Sequence, residues 1–92
     1  MFEDIKNILK QIEGCPNVYV SQNTEYVIEP IGIGDAKDHV RHLKFTIVER
    51  GASYINNVIY KASVKENNPE MYLKSILEDL IKISKKYLKI AV

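Results

Sequence analysis

The stretch His42-Leu43-Lys44-Phe45-Thr46-Ile47-Val48 decides the fold class, because Leu43, Phe45 and Ile47 alternate with more polar residues. A period of two is typical of a half-buried β-strand with its apolar residues on one face. The next residues, Glu49-Arg50-Gly51-Ala52, have the composition of a tight turn, and Gly51 is free to adopt a positive φ. We therefore expect an antiparallel hairpin here.

A second strand is predicted over residues 54–64. A turn of two or four residues would place the apolar set of the first strand on the same face as Val58 and Tyr60, whereas a three-residue turn would invert that register. We adopt the even turn because it unites the largest apolar set. The opposite, open face of the sheet would then carry a mixed set: Val40, His42, Lys44, Thr46, Val48, Ile55, Asn57, Ile59, Lys61 and Ser63.

Upstream, residues 17–33 are rich in β-branched and aromatic side chains. They could form one long bent strand, or a hairpin of two strands that turns at residues 21–24. Pro30 has no backbone N–H to donate, which restricts this segment to an edge of the sheet or a bulge. Gly32 and Gly34 mark the loop that follows.

One helix is predicted before the strands and one after them in the sequence. Residues 2–13 have apolar side chains at helical spacing, and Gly14 is suited to end this helix in a left-handed conformation. Asn68-Pro69-Glu70 is a typical helix start, and the helical pattern continues to about Lys89. The apolar side of this second helix spans about 180°, wider than the roughly 100° that an ordinary surface helix needs. It should therefore pack against the first helix, or against a second copy of the chain, as well as the sheet.

These patterns predict one α+β domain over residues 1–92. A single-layer antiparallel meander of three or four strands is flanked by an N-terminal and a long C-terminal helix, both on one sheet face. The apolar content of 46% is too high for a disordered chain. One cysteine, an acidic start (Met1-Phe2-Glu3-Asp4) and no long apolar run lead us to expect a cytoplasmic protein without membrane contact.

The charges are unevenly distributed along the chain. Residues 1–35 carry a net charge of −4 and residues 36–92 a net charge of +5. Lys82, Lys85, Lys86 and Lys89 fall on the polar side of the last helix. Cations there stabilise the helix dipole and form an ordinary solvated face, but nucleic-acid-binding proteins also concentrate lysine on one face.

Only one cluster has the residue types of a metal or catalytic site, and it comprises Asp35, Asp38, His39 and His42. In a strand, a spacing of three places the two histidines on opposite faces, so one metal ion would not reach both. We therefore predict no metal, no cofactor and no enzymatic activity, and keep a metal or catalytic role for these residues as the weakest alternative.

The α-β-β-β-α order resembles the topology of double-stranded RNA-binding domains. Pro16-Asn17-Val18-Tyr19 would open the first strand and His42-Leu43-Lys44-Phe45 the second. In that family a Lys-Lys-x-Ala-Lys run at the start of the last helix contacts phosphates. The matching segment here, residues 65–71, has Glu66 and Glu70 where that run should be basic. The resemblance implies nucleic-acid binding, and this departure weakens that implication.

The leading functional hypothesis is a non-enzymatic protein-interaction module that forms a dimer and regulates or inhibits an unidentified partner protein. Its predicted binding surface is the apolar part of the open sheet face, formed by Val48, Ile55 and Ile59. The alternative is a nucleic-acid-binding domain that uses Lys82, Lys85, Lys86 and Lys89.

Overall fold

A computed structural model describes residues 1–30, 32, 34, 37–51 and 56–90 of the chain, except for the side chains of residues 89 and 90. Two helices enclose a three-stranded antiparallel sheet in the order α-β-β-β-α, which confirms the predicted α+β fold. The elements are α1 (Phe2–Glu13), β1 (Val18–Pro30), β2 (Lys37–Arg50), β3 (Asn56–Lys65) and α2 (Glu70–Ile90).

The sheet has the order β1-β2-β3, so β2 is central and β1 is an edge strand. β1 is one continuous strand of 13 residues, which decides between the two predicted arrangements of this segment. Pro30 is its last residue, as expected for a residue that cannot donate to a β-ladder. β2 starts at Lys37, earlier than its apolar alternation indicated, because it pairs with β1 along that strand's whole length.

Both helices cover the same face of the sheet, as predicted. β2 contributes Leu43, Phe45 and Ile47 to the core between them, and all three are buried. The wide apolar side of α2 contacts α1 as well as the sheet, in agreement with the first of the two options above. The other buried members of this core are Phe2, Ile5, Leu9, Ile12, Cys15, Val18, Val64, Leu73, Ile76, Leu80 and Tyr87.

The register between β2 and β3 is the predicted one up to a bulge. Ile47 pairs with Tyr60, but Val48 pairs with Val58, so Ile59 is an extra residue in β3. Beyond this point the two faces of β3 exchange. Val58, which was predicted in the core, lies on the open face and is 63% exposed, and Ile59, predicted on the open face, packs against the core.

Helix α1 has its predicted bounds but ends differently from the expectation. Gly14 has a φ of −75° and is right-handed, so it is not the predicted left-handed cap. Its N–H donates to Gln11 O at 3.2 Å, and Cys15 N donates to Ile12 O at 2.9 Å. The chain instead turns at Asn17, whose φ is 61°. Asparagine tolerates this left-handed region better than most residues.

The hairpin of β1 and β2 is longer than β3 and the helices that cover it. β3 pairs with β2 only from His42 to Arg50. Residues 26–30 of β1 and 37–41 of β2 continue as a two-stranded extension, which we call the arm. It contributes to the elongated outline of the molecule, whose longest dimension is 54 Å.

Candidate interaction surfaces

The arm exposes large apolar side chains on the face of the sheet that packs against the helices in the central part of β2. Tyr26 is 69% exposed and Ile28 is 59% exposed. Alternation along β1 places both on the same face as Val20, which packs against the core. We call this surface, formed by Tyr26 and Ile28, the apolar arm face.

The base of the arm is fixed by Arg41. Its backbone N–H donates to Glu66 Oε1 at 2.8 Å, and its Nε donates to Glu66 Oε2 at 3.0 Å. The same guanidinium bonds to Glu3 and lies over the ring of Phe2, 4.9 Å from its centroid. The two bonds from Arg41, the backbone bond most of all, lower the pKa of the Glu66 carboxyl. The side-chain bonds to Glu66 and then Glu3 raise the pKa of Arg41. The segment after β3 and the start of α1 are thus joined to the arm at one residue.

A second set of contacts covers the opposite side of the arm. Lys65 Nζ donates to Glu29 Oε1 at 2.6 Å, and Asn67 Nδ2 donates to Glu29 Oε2 at 2.9 Å. These hydrogen bonds, the one from Lys65 first, lower the pKa of Glu29. Val40 is only 5% exposed although it lies outside the main core. The two faces of the arm therefore differ, since one is covered by residues 65–67 and the other carries Tyr26 and Ile28.

The predicted binding surface on the open face is only partly present. Val48 is half-buried there, whereas Ile59 packs against the core because of the bulge. Ile55 lies outside the described residues. In place of the predicted trio, Val48 is flanked across the strands by Tyr19 and Val58.

The lysines of the alternative hypothesis lie on α2. Lys82, Lys85 and Lys86 are exposed, and the Lys86 ammonium is 5.5 Å from the ring centroid of Tyr87. The side chain of Lys89 lies outside the described part of the chain. On the preceding turns of the helix, Asp79 accepts a hydrogen bond from the Tyr60 hydroxyl at 2.8 Å. α2 thus presents an exposed basic surface near its C-terminal end.

The cluster of histidines and carboxylates does not converge. His42 is hydrogen-bonded to the Ser63 hydroxyl, whereas His39 is exposed and its backbone N–H donates to Asp38 Oδ1 at 2.8 Å. Asp35 is not among the described residues. Within the described part of the chain, no three His, Cys, Asp or Glu side chains are grouped as metal ligands would be.

Tyr26 and Ile28 were not singled out from the sequence as binding residues. No local pattern in the sequence signals their exposure, because that exposure depends on how far the helices extend over β1.

No described helix has the length and hydropathy needed to span a bilayer. Comparison of the chain with protein-family models, with curated proteins and with solved structures finds no match. The structure has the element order α-β-β-β-α on which the likeness to double-stranded RNA-binding domains rests.

Proposed function

We propose that this protein is a non-enzymatic interaction module that self-associates through the apolar arm face. The exposure of Tyr26 and Ile28 is the observation that carries this proposal. A two-stranded hairpin is marginally stable by itself in water, so an arm with an uncovered apolar face gains stability from a partner.

The charges around the apolar arm face favour a second copy of the chain as that partner. On this face, the Ile28–His39 pair has the Tyr26–Arg41 pair on one side and the Pro30–Lys37 pair on the other. A twofold axis next to the Ile28–His39 pair, parallel to the sheet and perpendicular to its strands, would place two copies face to face. Their rows would then lie over each other in opposite order. Each Tyr26 would then approach the partner's Pro30.

The same axis would bring opposite charges together. Lys37 is exposed near the tip of the arm, whereas Glu3 and Asp4, in the first turn of α1, are exposed near its base at Arg41. Each Lys37 would face the partner's Arg41, whose charge is offset by its ion pairs with Glu3 and Glu66, and the acidic first turn of α1 next to it. Electrostatic complementarity of this kind sets the orientation of an interface more than its strength. The apolar residues would supply most of the affinity.

Sedimentation equilibrium over a range of protein concentrations tests the proposal. We expect the wild-type chain to be a dimer at about 100 μM, which requires a free energy of association of only about −6 to −8 kcal/mol. The double variant Tyr26→Ser/Ile28→Ser should be monomeric with an unchanged far-UV circular dichroism spectrum. The variant Lys37→Glu should weaken the dimer, and the combination with Asp4→Lys should restore it in part.

The matched control is Val58→Ser, which removes an exposed apolar residue from the open face. It should leave the dimer intact. Dissociation by Val58→Ser with no effect of the arm variant would move the interface to the open face and overturn the proposal. A wild-type chain that remains monomeric at about 100 μM would also overturn it.

A further inference from the structure

The open face of the sheet contains a shallow cavity that is separate from the apolar arm face. Its volume is about 360 Å³, within the range of small-molecule binding sites. Two adjacent cross-strand rows, together with Phe45 and Ala62 between them, line it: Ser21–Thr46–Lys61 and Asn23–Lys44–Ser63. We call it the basic groove.

The basic groove has two lysines on the same face of the sheet. Lys44 on β2 and Lys61 on β3 are diagonal neighbours in the register, a relation that separates residues by about 7–8 Å. Among the described ion pairs, neither ammonium has a carboxylate partner. Both side chains are exposed. An anion bound between them would interact with both ammonium groups.

The remaining polar groups of the groove suit a ligand with several acceptor oxygens. Ser21, Thr46 and Ser63 offer hydroxyls, and Asn23 offers an amide. The Ser63 hydroxyl is also bonded to His42, which lies one row nearer the arm. Hydroxyl, amide and ammonium donors together match the acceptors of a phosphate group, for which lysine acts as a compact point charge.

One carboxylate borders the groove on the side of the arm. Glu25 pairs with His42 in the register, and its Oε1 accepts a hydrogen bond from Asn23 Nδ2 at 3.0 Å. At the other end of the open face, the guanidinium of Arg50 lies 4.6 Å from the ring centroid of Tyr19. The field therefore becomes more positive from Glu25 towards Arg50.

We propose that the basic groove binds a phosphate group between Lys44 and Lys61. The phosphate is carried either by a small phosphorylated molecule or by a single-stranded nucleic acid, since both offer the same acceptor oxygens. The groove is on the opposite side of the sheet from the lysines of α2. It also does not depend on the self-association proposed above.

Titration of the ¹⁵N-labelled full chain at low salt tests this inference, with inorganic phosphate, adenosine monophosphate and a single-stranded oligonucleotide as probes. We expect saturable shifts of the backbone amide signals of Ser21, Lys44, Lys61 and Ser63, with dissociation constants of about 1 mM or below. The variant Lys44→Gln/Lys61→Gln should weaken binding at least about tenfold, because it removes both cations. Glu25→Gln should strengthen binding, because it removes the bordering negative charge.

The matched control is Lys82→Gln/Lys85→Gln, which removes the same charge from the opposite side of the molecule and should leave the shifts unchanged. Equal affinity for the two small probes and no gain for the oligonucleotide would assign a small phosphorylated ligand. Tighter oligonucleotide binding, with an affinity that falls by about 0.7 log units per log unit of salt for each phosphate contacted, would assign a polynucleotide. Shifts that do not saturate by about 20 mM, or an equal loss in the α2 control, would overturn the proposal.

Discussion

The hairpin of β1 and β2 has two regions in which the same alternation of side chains leads to different burial. In the region that we call the body, β3 pairs with β2 and the helices cover one face of the sheet. Leu43, Phe45 and Ile47 are buried there. In the arm, the same face carries Tyr26 and Ile28, which remain largely exposed. The difference shows that alternation determines which residues share a face, whereas burial depends on how far the neighbouring elements extend.

The largest expected effect comes from shortening one apolar side chain in each region. Leu43→Ala should lower the free energy of unfolding by about 2–5 kcal/mol, because it opens a cavity in a fully buried site. Ile28→Ala, in the arm, should change it by no more than about 0.5 kcal/mol in the monomer. Urea denaturation at a protein concentration low enough to avoid self-association measures both. Equal losses would mean that the arm is as well covered as the body.

A second comparison uses one tyrosine from each region, Tyr60 in the body and Tyr26 in the arm. Tyr60→Phe keeps the ring stacked on Phe45 but removes the bond to Asp79, and should cost about 0.5–1.5 kcal/mol. Burial, and then the bond to Asp79, raise the pKa of Tyr60 above its ordinary value of 10.0. The unfolded chain therefore ionises first, and the advantage of the wild type over Tyr60→Phe should shrink as the pH rises above 10.0.

The control is Tyr26→Phe, which alters an exposed ring in the arm. It should leave both the stability at neutral pH and its alkaline dependence unchanged. Chemical denaturation at several pH values compares the three proteins. A constant difference between wild type and Tyr60→Phe from neutral to alkaline pH would contradict the assigned role of the buried hydroxyl.

Acid should weaken the bonds between Arg41 and Glu66, which form the junction between the arm and the body. The pKa of Glu66 is held below its ordinary value of 4.5, so its contribution to stability is present above that pH and is lost as the pH falls through the lowered pKa. Glu66→Gln should therefore melt below wild type at neutral pH, and the two melting temperatures should converge on acidification. Glu13→Gln, at an exposed carboxylate of α1, should show no such convergence. Parallel melting curves for wild type and Glu66→Gln would contradict the role of this junction.

The smallest effect is expected at the far side of the arm. Lys65→Met removes the ion pair with Glu29, and exposed ion pairs contribute little to global stability. The local effect should be measurable, since the backbone amides of residues 26–29 would exchange faster with deuterium. Lys61→Met, in the same strand, should leave the exchange of this segment unchanged. Slower or unaltered exchange in Lys65→Met would show that this contact does not restrain the arm.

The fold could be predicted because its signals are local. The alternation around Phe45, the helix start at Pro69 and the loss of a donor at Pro30 each restrict the backbone of nearby residues. The bulge at Ile59 could not be predicted in this way. Val58, Ile59 and Tyr60 are consecutive and apolar, so either register of β3 places an apolar residue towards the core, and only the assembled structure shows that Ile59 packs there.

The candidate sites were less predictable than the fold. Lys44 and Lys61 were assigned to the open face from the sequence, but their diagonal relation depends on a register that several turn lengths would have allowed. The exposure of Tyr26 depends on how far α1 and α2 extend over β1, which no local pattern encodes. Surfaces that arise from such differences in length require the assembled structure.

The contacts of Arg41 and Glu49 have a consequence for the rate at which the chain folds. Arg41 bonds to Glu3, and the Tyr87 hydroxyl donates to Glu49, and each bond joins residues 38 positions apart. Loops of that length must close before either helix gains its packing energy, and such non-local topologies fold more slowly than helical bundles of similar size. α1 packs mainly against α2, so most of its apolar side is uncovered until that distant helix is in place. We expect the chain to fold in one cooperative step, in which its first and last helices become ordered together.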